Sequence, residues 1–305
     1  MKKRWLLNLV MLAVVAGLVT FLYVRPKANN NVPAQHEVSA LKLADFIGIE
    51  VVFPTQKSTS FEKAGGKTDG LWHMTSPYKT RADQISVQRI LAIIAAKSTE
   101  KFTATDLAKY GLDNPQLRLK LNKAAGPESG IEEFIFGTFN PVTEEQYVAY
   151  KDAVYLLPSN YSEAASTQAI ELIDKNPLTK DEAKQISGFN FAHLEQWQEV
   201  SLNVDIVDGQ WKVNTPKAKP TQNEMNEWLD FSWKQAQAKQ VELYTPDRKI
   251  TYPSFDVKLK DGKKVHFDKI SEAPDLLLGR PDEGIMYHFS NDVGFTMLNP
   301  PLNLQ

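Results

Sequence analysis

Two hydrophobic patterns alternate along the chain between residues 41 and 300. Residues 117–121 and 255–259 place an apolar side chain at every second position, which is the period of a half-buried β-strand. Two other stretches space their apolar residues three or four apart, as an amphipathic helix does. These positions are Val87, Ile90, Leu91 and Ile94 in one stretch, and Met225, Trp228, Leu229 and Ala236 in the other. The pattern therefore predicts mostly strands with few helices.

The second half of the chain repeats the landmarks of the first half in the same order. A tryptophan and a proline precede each helix, a capping pattern opens it, and strands with a glycine follow. The predicted equivalences are Trp72 with Trp211, Pro77 with Pro216, Thr80-x-x-Asp83 with Thr221-x-x-Glu224, Gly137 with Gly279, and residues 147–150 and 154–157 with 286–289 and 295–298. This agreement indicates a duplication, so the paired residues should occupy the same places in two similar domains.

The predicted fold class is α+β, with an N-terminal transmembrane helix followed by two duplicated, mostly antiparallel sheet domains, each covered by one helix. Asp-Gly pairs at 208–209 and 261–262 predict hairpin turns. Residues 161–195 are predicted to form a helical connector with a capping box at Thr179 and Glu182. The first repeat is assigned to residues 41–175 and the second to residues 176–305.

The N-terminus differs from the rest of the chain because residues 5–24 contain no ionisable side chain. Twenty helical residues span about 30 Å, the thickness of one bilayer core. Lys2, Lys3 and Arg4 precede this run, and basic residues favour the cytoplasmic side of a membrane. Residues 1–27 are therefore predicted to be an uncleaved transmembrane signal anchor, followed by a linker at 28–40. The alternative is a cleaved signal peptide with a small-residue site at 32–34.

Charge and composition exclude some classes of protein. The net charge is −2 at pH 7, but residues 1–27 contain five basic residues and no acidic one, so the remaining chain, with 30 basic and 37 acidic residues, carries −7. An acidic surface repels phosphate backbones, and we therefore expect no nucleic-acid partner. The chain has no cysteine, which excludes disulfides, thiol nucleophiles and thiolate metal sites.

The motif Tyr110-Gly111-Leu112-Asp113-Asn114-Pro115, the Trp-x4-Pro element and the helix after it resemble a bacterial envelope family, the domain of unknown function 4340. The resemblance implies structural roles for Gly111 and Pro115, and one family unit in each repeat. It departs in the second repeat, where Tyr244-Thr245-Pro246 lacks the Gly-Leu-Asp core. Members are often encoded beside ABC-transporter auxiliary subunits of the gliding-motility type. This implies an inner-membrane protein with periplasmic domains and a protein partner.

Patterns that could carry chemistry are better explained by structure. Gly66-Lys67-Thr68 lacks the earlier glycine of a phosphate-binding loop, since Phe61 stands there, and is predicted to form a turn. Ser60 and Lys63 have the spacing of a serine acylase pair without its companion motifs. The histidines have no metal-binding spacing: they are His36, His73, His193, His266 and His288. We therefore predict no catalytic residue, no metal site and no cofactor.

The tryptophans carry two further predictions. Trp72 and Trp211 are expected in the core beneath each helix, the alternative being a stacking surface for a sugar or another flat ligand. The second predicted helix carries three large aromatic residues close together: Trp228, Phe231 and Trp233. A single helix face cannot bury all three, so Phe231 or Trp233 should be exposed. These three residues are the candidate partner patch.

The sequence thus predicts a non-enzymatic, membrane-anchored accessory or scaffold protein of an envelope complex, with an ABC-type transporter as the expected partner. The alternative is a binding module that holds a lipid, glycan or peptide in a cleft between the repeats. The third hypothesis is an enzyme, with a hydrolase as the expected class. A cleft lined by apolar and aromatic residues would favour the binding module, and a flat exposed aromatic patch would favour the scaffold.

Overall fold

The computed structural model describes residues 34–124 and 130–304, together with residues 11, 15 and 17–21. Most of the predicted anchor at 1–27, and part of the linker at 28–40, therefore lie outside the described residues. Among the residues that are described, no helix is both long enough and apolar enough to cross a membrane.

The first repeat is built on a nine-stranded antiparallel sheet with the order β5-β4-β3-β2-β8-β9-β10-β11-β7, beside a small β1-β6 ladder. Its strands are β1 (His36–Glu37), β2 (Phe46–Val52), β3 (Thr59–Lys63), β4 (Trp72–Ser76), β5 (Thr80–Arg81), β6 (Lys97–Ser98), β7 (Lys101–Thr103), β8 (Leu117–Lys123), β9 (Ile131–Phe139), β10 (Gln146–Tyr150) and β11 (Ala153–Leu157). Helix α1 (Gln84–Leu91) packs its apolar face into the core, and short 3₁₀ turns lie at Leu43–Asp45, Ala64–Gly66, Ala92–Ala95 and Ala108–Tyr110.

The connector contains α2 (Asn160–Ser166), a 3₁₀ turn (Ala169–Leu172) and α3 (Lys180–Gln185). The predicted capping box is confirmed, because Thr179 accepts from Glu182 N–H and Glu182 accepts from Thr179 N–H. The helical prediction is wrong from Ile186 onward, where a strand begins. Buried and half-buried residues largely alternate there, which is the period of a strand rather than a helix.

The second repeat is built on an eight-stranded antiparallel sheet with the order β14-β13-β12-β16-β17-β18-β19-β15. Its strands are β12 (Ile186–His193), β13 (Asn203–Val207), β14 (Gln210–Val213), β15 (Gln240–Leu243), β16 (Ser254–Leu259), β17 (Lys264–Ser271), β18 (Asp275–Arg280) and β19 (Ile285–Ser290). Its helices are α4 (Gln222–Leu229), continued by a π-helical turn (Asp230–Lys234), and α5 (Asn291–Leu298), with a 3₁₀ turn at Glu195–Val200.

The strand orders show that the two sheets are duplicated. Without β5, the first sheet has the same order as the second, so that β2, β8 and β11 correspond to β12, β16 and β19. An α-helix lies between β4 and β7 in the first repeat and between β14 and β15 in the second. A further helix, α2 or α5, follows the last strand of each sheet. One continuous hydrophobic core runs through both repeats.

The predicted equivalence of Gly137 with Gly279 is wrong. Gly137 lies in β9, whose counterpart by sheet position is β17, whereas Gly279 lies one strand later, in β18. The equivalences after it fail in the same way, since 286–289 lies in β19 and 295–298 in α5. Asp268 and Lys269 interrupt the apolar pattern of β17, so β18 resembles β9 more closely in sequence than β17 does.

Trp72 and Trp211 occupy the same position in the two sheets, in β4 and β14. Both indoles are buried, and both backbones are held by a glutamine at the start of the next helix. The Gln84 amide accepts from Trp72 N–H and donates to Trp72 C=O, each at 2.9 Å, and Gln222 does the same for Trp211 at 2.7 and 3.1 Å. A side-chain amide offers the donor and acceptor of a peptide unit, so each glutamine satisfies the backbone of its tryptophan as a neighbouring strand would. In the second repeat this closes the sheet edge, because β14 is the edge strand.

The two repeated helices begin differently. Thr221 is the N-cap of α4 and accepts from Glu224 N–H, as predicted. The N-cap of α1 is Asp83, whose carboxylate accepts from Ser86 N–H at 2.7 Å. The predicted cap at Thr80 is wrong, because Thr80 lies in β5 and Asp83 itself is the capping residue.

Candidate functional site

The connector joins an edge of the first sheet to an edge of the second. Asp174 N–H donates to Arg81 C=O at 3.0 Å, which extends the first sheet beyond β5. At the next residue, Lys175 C=O accepts from Ala238 N–H at 2.9 Å, just before β15. The connector therefore holds β5 and β15 on either side of one short segment, and this segment defines the junction between the repeats.

The Arg81 side chain spans this junction and is largely buried, with 13% of its surface exposed. It donates to the Glu283 carboxylate from Nε at 2.8 Å and from Nη2 at 3.0 Å. It also donates to the Asp174 carboxylate, to the Tyr287 hydroxyl at 2.9 Å and to the Asn176 carbonyl at 2.7 Å. Burial would lower the pKa of Arg81, but these acidic partners raise it above its usual value. Arg81 is therefore a fixed positive charge between the repeats.

Arg280 extends the same arrangement and is even more buried, with 4% of its side chain exposed. Its Nη2 donates to Glu182 Oε1 at 2.7 Å and its Nη1 to Glu182 Oε2 at 3.0 Å, a bidentate pair. It also contacts Asp282 at 3.0 Å and Glu283 at 3.5 Å. Because Glu283 contacts both arginines, the groups form one junction network: Arg81, Asp174, Glu182, Arg280, Asp282, Glu283 and Tyr287.

Within the junction network, Glu182 is held ionised and Tyr287 is held protonated by their surroundings. Burial raises the pKa of the Glu182 carboxyl, but hydrogen bonds from Arg280 and Thr179 outweigh it and keep that pKa below its usual value. Burial and the Glu283 carboxylate raise the pKa of Tyr287, so its hydroxyl stays protonated and donates to Glu283 at 2.8 Å. Removing one member of such a network leaves a buried charge without its partner.

A cleft of about 980 Å³ opens between the repeats, next to the connector. Its walls come from α1, the connector and β15, and no aromatic side chain lines it in the described part of the chain. Amide, basic and acidic side chains dominate instead: Asn160, Gln168 and Gln240, then Arg89, Lys175 and Lys239, then Glu163, Glu171 and Glu242. The volume is that of an ordinary ligand site, but the lining is polar and carries both charges.

Two of the basic groups in the cleft have no acidic partner. Lys239 pairs with Asp275 at 2.6 Å. Arg89 and Lys175, in contrast, form no ion pair with any carboxylate that the structure describes. Beside the cleft, the buried Nε2 of His288 lies 3.5 Å from Glu242 Oε1 and has no hydrogen-bond partner among the described residues. The carboxylates of Glu163 and Glu171 in the same lining likewise form no ion pair among the described residues, so the cleft is suited to a polar ligand and its charge does not select an anion.

The candidate partner patch is only partly confirmed. Phe231 is 69% exposed, but Trp228 and Trp233 are buried, so their assignment to a surface patch is wrong. The π-helical turn brings residues five apart onto one face, and both indoles point inward. Three indole N–H groups donate to the end of α5: Trp228 to Thr296 C=O at 2.6 Å, Trp233 to Met297 C=O at 3.2 Å and Trp197 to Leu298 C=O at 2.9 Å. They satisfy carbonyls that a helix end leaves without intrahelical partners.

The predicted structural glycines make room for the segment that follows each edge strand. Gly111 adopts φ +66° and ends the 3₁₀ turn after β7. A Cβ atom on Gly137 would lie 2.1 Å from the Tyr110 carbonyl, and one on Gly279 would lie 2.4 Å from the Tyr244 ring. The two glycines thus have similar roles on different strands. Of the predicted prolines, Pro77 and Pro115 are half-buried and Pro216 is exposed.

The second sheet carries a polar cluster that was not predicted from the sequence. The Tyr244 hydroxyl donates to the Asp268 carboxylate at 2.7 Å, and His266 lies between Asp268 and Asp256 at 3.3 and 2.8 Å. The signal was the cross-strand register, which pairs Asp256 with His266. Of the other histidines, His288 lies beside the cleft, whereas His36, His73 and His193 lie in β1, β4 and β12. Within the described residues, no group of His, Asp and Glu is placed to hold a metal ion.

The family model described as Domain of unknown function (DUF4340) matches residues 72–253, more than half of the chain. The chain belongs to this family. The match to DUF4340 is a single one that runs from β4 across the junction to the residues before β16, so one family unit per repeat is not confirmed. Every residue that lines the cleft falls within the match. No curated protein and no solved structure matches the chain.

Proposed function

We propose that this DUF4340 member is a non-enzymatic accessory or scaffold protein of a bacterial envelope complex. Residues 1–27 anchor it in the inner membrane, and both repeats lie in the periplasm. The observation that most supports this proposal is the junction network, which couples the two sheets through buried charges from both repeats.

A scaffold must keep its contact surfaces at a fixed spacing. Arg81 belongs to the first repeat, and its partners Glu283 and Tyr287 belong to the second. Opening the junction would leave these groups without their partners, at a cost of several kcal/mol for each buried charge. The continuous core adds apolar contacts to the same interface. The two repeats therefore present their outer surfaces as one body.

The proposed partner is a subunit of an ABC-type transporter, the class that the family resemblance implies. Phe231 is the part of the candidate patch that remains available for contact, since 69% of its surface is exposed. A photo-crosslinking residue at position 231 should capture one defined membrane subunit in intact cells. The matched control is position 142, where Val142 is 88% exposed. Equal capture from both positions, or none from either, would contradict a specific contact at Phe231.

The membrane topology is tested separately. A reporter that is active only outside the cytoplasm should be active when fused after Gln305, and the protein should stay in the membrane after alkaline washing. Replacing Lys2, Lys3 and Arg4 by glutamate should reduce reporter activity, because basic residues before an apolar run direct its orientation. Recovery of a soluble form that starts near residue 35 would instead support the cleaved signal peptide.

The second candidate is a periplasmic binding module, and the cleft favours it. The cleft has the volume of a ligand site and lies between the repeats, where such sites are common. The cleft is lined by basic, acidic and amide side chains, which supports a peptide or glycan ligand and gives no support to a lipid. Binding of a polar ligand that weakens when Arg89 or Lys175 is reversed in charge would support this function.

A further inference from the structure

We infer that one end of the first sheet, the end that carries Leu43, Leu71 and Ile131, lies on the surface of the membrane that holds residues 1–27. This end is called the entry end. The inference rests on the membrane anchor of the proposed function and adds the orientation of the first repeat. It is carried by the position of the three apolar side chains, their spacing across the sheet and the place where the chain enters the fold.

The three apolar side chains are exposed at the same end of the sheet. Leu43 comes just before β2 and is 52% exposed, Leu71 comes just before β4 and is 57% exposed, and Ile131 begins β9 and is 67% exposed. Two antiparallel steps lead from β2 through β3 to β4, and two lead from β2 through β8 to β9. These three strands therefore all begin at the entry end.

The spacing of these side chains fits a flat partner. The neighbouring strands β4, β3, β2, β8 and β9 separate Leu71 from Ile131 by four strand spacings. At about 4.8 Å per spacing, the two lie roughly 19 Å apart, with Leu43 between them beside β2. A line of this length is too long for one pocket. The boundary between lipid headgroups and acyl chains is a flat surface that takes up apolar side chains.

The chain enters the fold at the same end of the sheet. Residues 37–41 line a recess of about 400 Å³ together with Lys123, which ends β8, and Lys151, which follows β10. The nine residues from 28 to 36 connect the anchor to β1 and span at most about 30 Å when extended. The anchor therefore keeps the entry end near the membrane.

The opposite end of the sheet also carries exposed apolar residues, so exposure alone does not choose between the two ends. Phe139 is 42% exposed and Val142 is 88% exposed, and both belong to the hairpin between β9 and β10. Strand β9 has nine residues, which places this hairpin roughly 26 Å from Ile131. The connection to the anchor selects the entry end.

Charge does not hold the entry end on the membrane. Exposed charged residues of both signs lie there: Lys42, Lys67 and Lys151, and Asp45, Asp69 and Asp152. The contact is therefore apolar, and it should not depend on anionic lipid.

The experiment places the full-length protein in nanodiscs whose phospholipids carry a nitroxide quencher near the headgroup. The chain has no cysteine, so each introduced cysteine carries the only fluorophore. Leu43→Cys, Leu71→Cys and Ile131→Cys labels should lose fluorescence, in zwitterionic and anionic nanodiscs alike. The matched control is Val142→Cys, which should keep its fluorescence because it lies at the opposite end of the sheet.

A second label tests whether the apolar side chains cause the contact. Lys67→Cys places the fluorophore at an exposed polar position of the entry end, so the label does not replace an apolar residue. Its quenching should fall when Leu43, Leu71 and Ile131 are all replaced by serine. Folding should be kept, since substitutions at exposed positions change stability little. Val142→Ser should leave the quenching of the Lys67→Cys label unchanged.

Four results would overturn the inference: no quenching at the entry end, equal quenching at position 142, quenching that requires anionic lipid, or quenching at position 67 that survives the serine changes. Protein that enters the nanodiscs without such quenching would reject this orientation and keep the anchor. Protein that fails to enter them would reject the anchor as well. The cross-link from position 231 reports the partner contact of the scaffold separately.

Discussion

Replacing Arg81 by glutamine removes the charge that joins the two repeats. The substitution leaves the Glu283 and Asp174 carboxylates, which are 16% and 20% exposed, without their main cation. Glutamine is too short to reach all of the partners that Arg81 contacts. The change therefore tests whether the junction network holds the repeats together.

The expected loss follows from the burial of the groups left behind. Removing one partner of a buried ion pair costs about 3 to 5 kcal/mol, most of it from the desolvated charge that remains. The control is Arg118→Gln, because Arg118 lies 3.4 Å from Glu133 and both side chains are about one-third exposed, at 36% and 33%. An exposed pair of this kind contributes about 0 to 1 kcal/mol. Burial alone thus predicts a clear difference between two similar substitutions.

Scanning calorimetry measures both variants. At about 2 to 4 °C per kcal/mol for units of this size, Arg81→Gln should melt roughly 6 to 20 °C below wild type. Because the repeats would be less strongly coupled, its transition should also broaden or divide into two. Combining it with Glu283→Gln should cost less than the sum of the single changes, since both remove the same contact.

The reasoning would be refuted by an Arg81→Gln protein that melts in one transition within about 2 °C of wild type. A loss of the same size in Arg118→Gln would also refute it, because the effect would then not depend on burial. Additive effects of Arg81→Gln and Glu283→Gln would show that the two side chains act independently.

Four further changes have defined outcomes. The pKa of Glu182 in the folded protein lies below its usual value of 4.5. Its contribution to the free energy of unfolding is therefore present above pH 4.5 and is lost as the pH falls through the folded-state pKa. Urea unfolding at several pH values should show a smaller loss of stability in acid for Glu182→Gln than for wild type. Trp72→Ala should cost about 3 to 5 kcal/mol, measured by thermal melting, and an unchanged melting temperature would contradict its place in the core. Phe231→Ser should change stability by no more than about 0.5 kcal/mol while reducing partner recovery, and normal recovery would reject the contact. Gln222→Leu should cost roughly 0.5 to 1.5 kcal/mol and increase aggregation in light scattering, whereas a monodisperse variant would show that the edge needs no closure.

Local features of the fold could be predicted from the sequence because neighbouring residues decide them. The Asp-Gly pairs form the predicted hairpin turns, with Gly209 and Gly262 at φ +75° and +83°. The capping box at Thr179 depends on contacts within a single helical turn. The alternation of apolar residues likewise identified the strands at 117–121 and 255–259, because the side chains of a strand point to alternate faces. The order of such elements was sufficient to predict the duplication.

Side-chain surroundings could not be predicted in the same way, because they depend on residues far apart in the chain. Arg81 and Glu283 are 202 positions apart, and nothing in either local sequence marks them as partners. The burial of Trp233 required the π-helical turn and the nearby end of α5. The sequence by itself thus determined the alternating strands, the hairpin turns, the caps at Thr179 and Thr221 and the presence of a repeat, which follow from local periodicity and turn chemistry. Only the tertiary structure decided the junction network, the polar cleft and which aromatic residue stays exposed, since packing between distant segments sets burial and charge pairing.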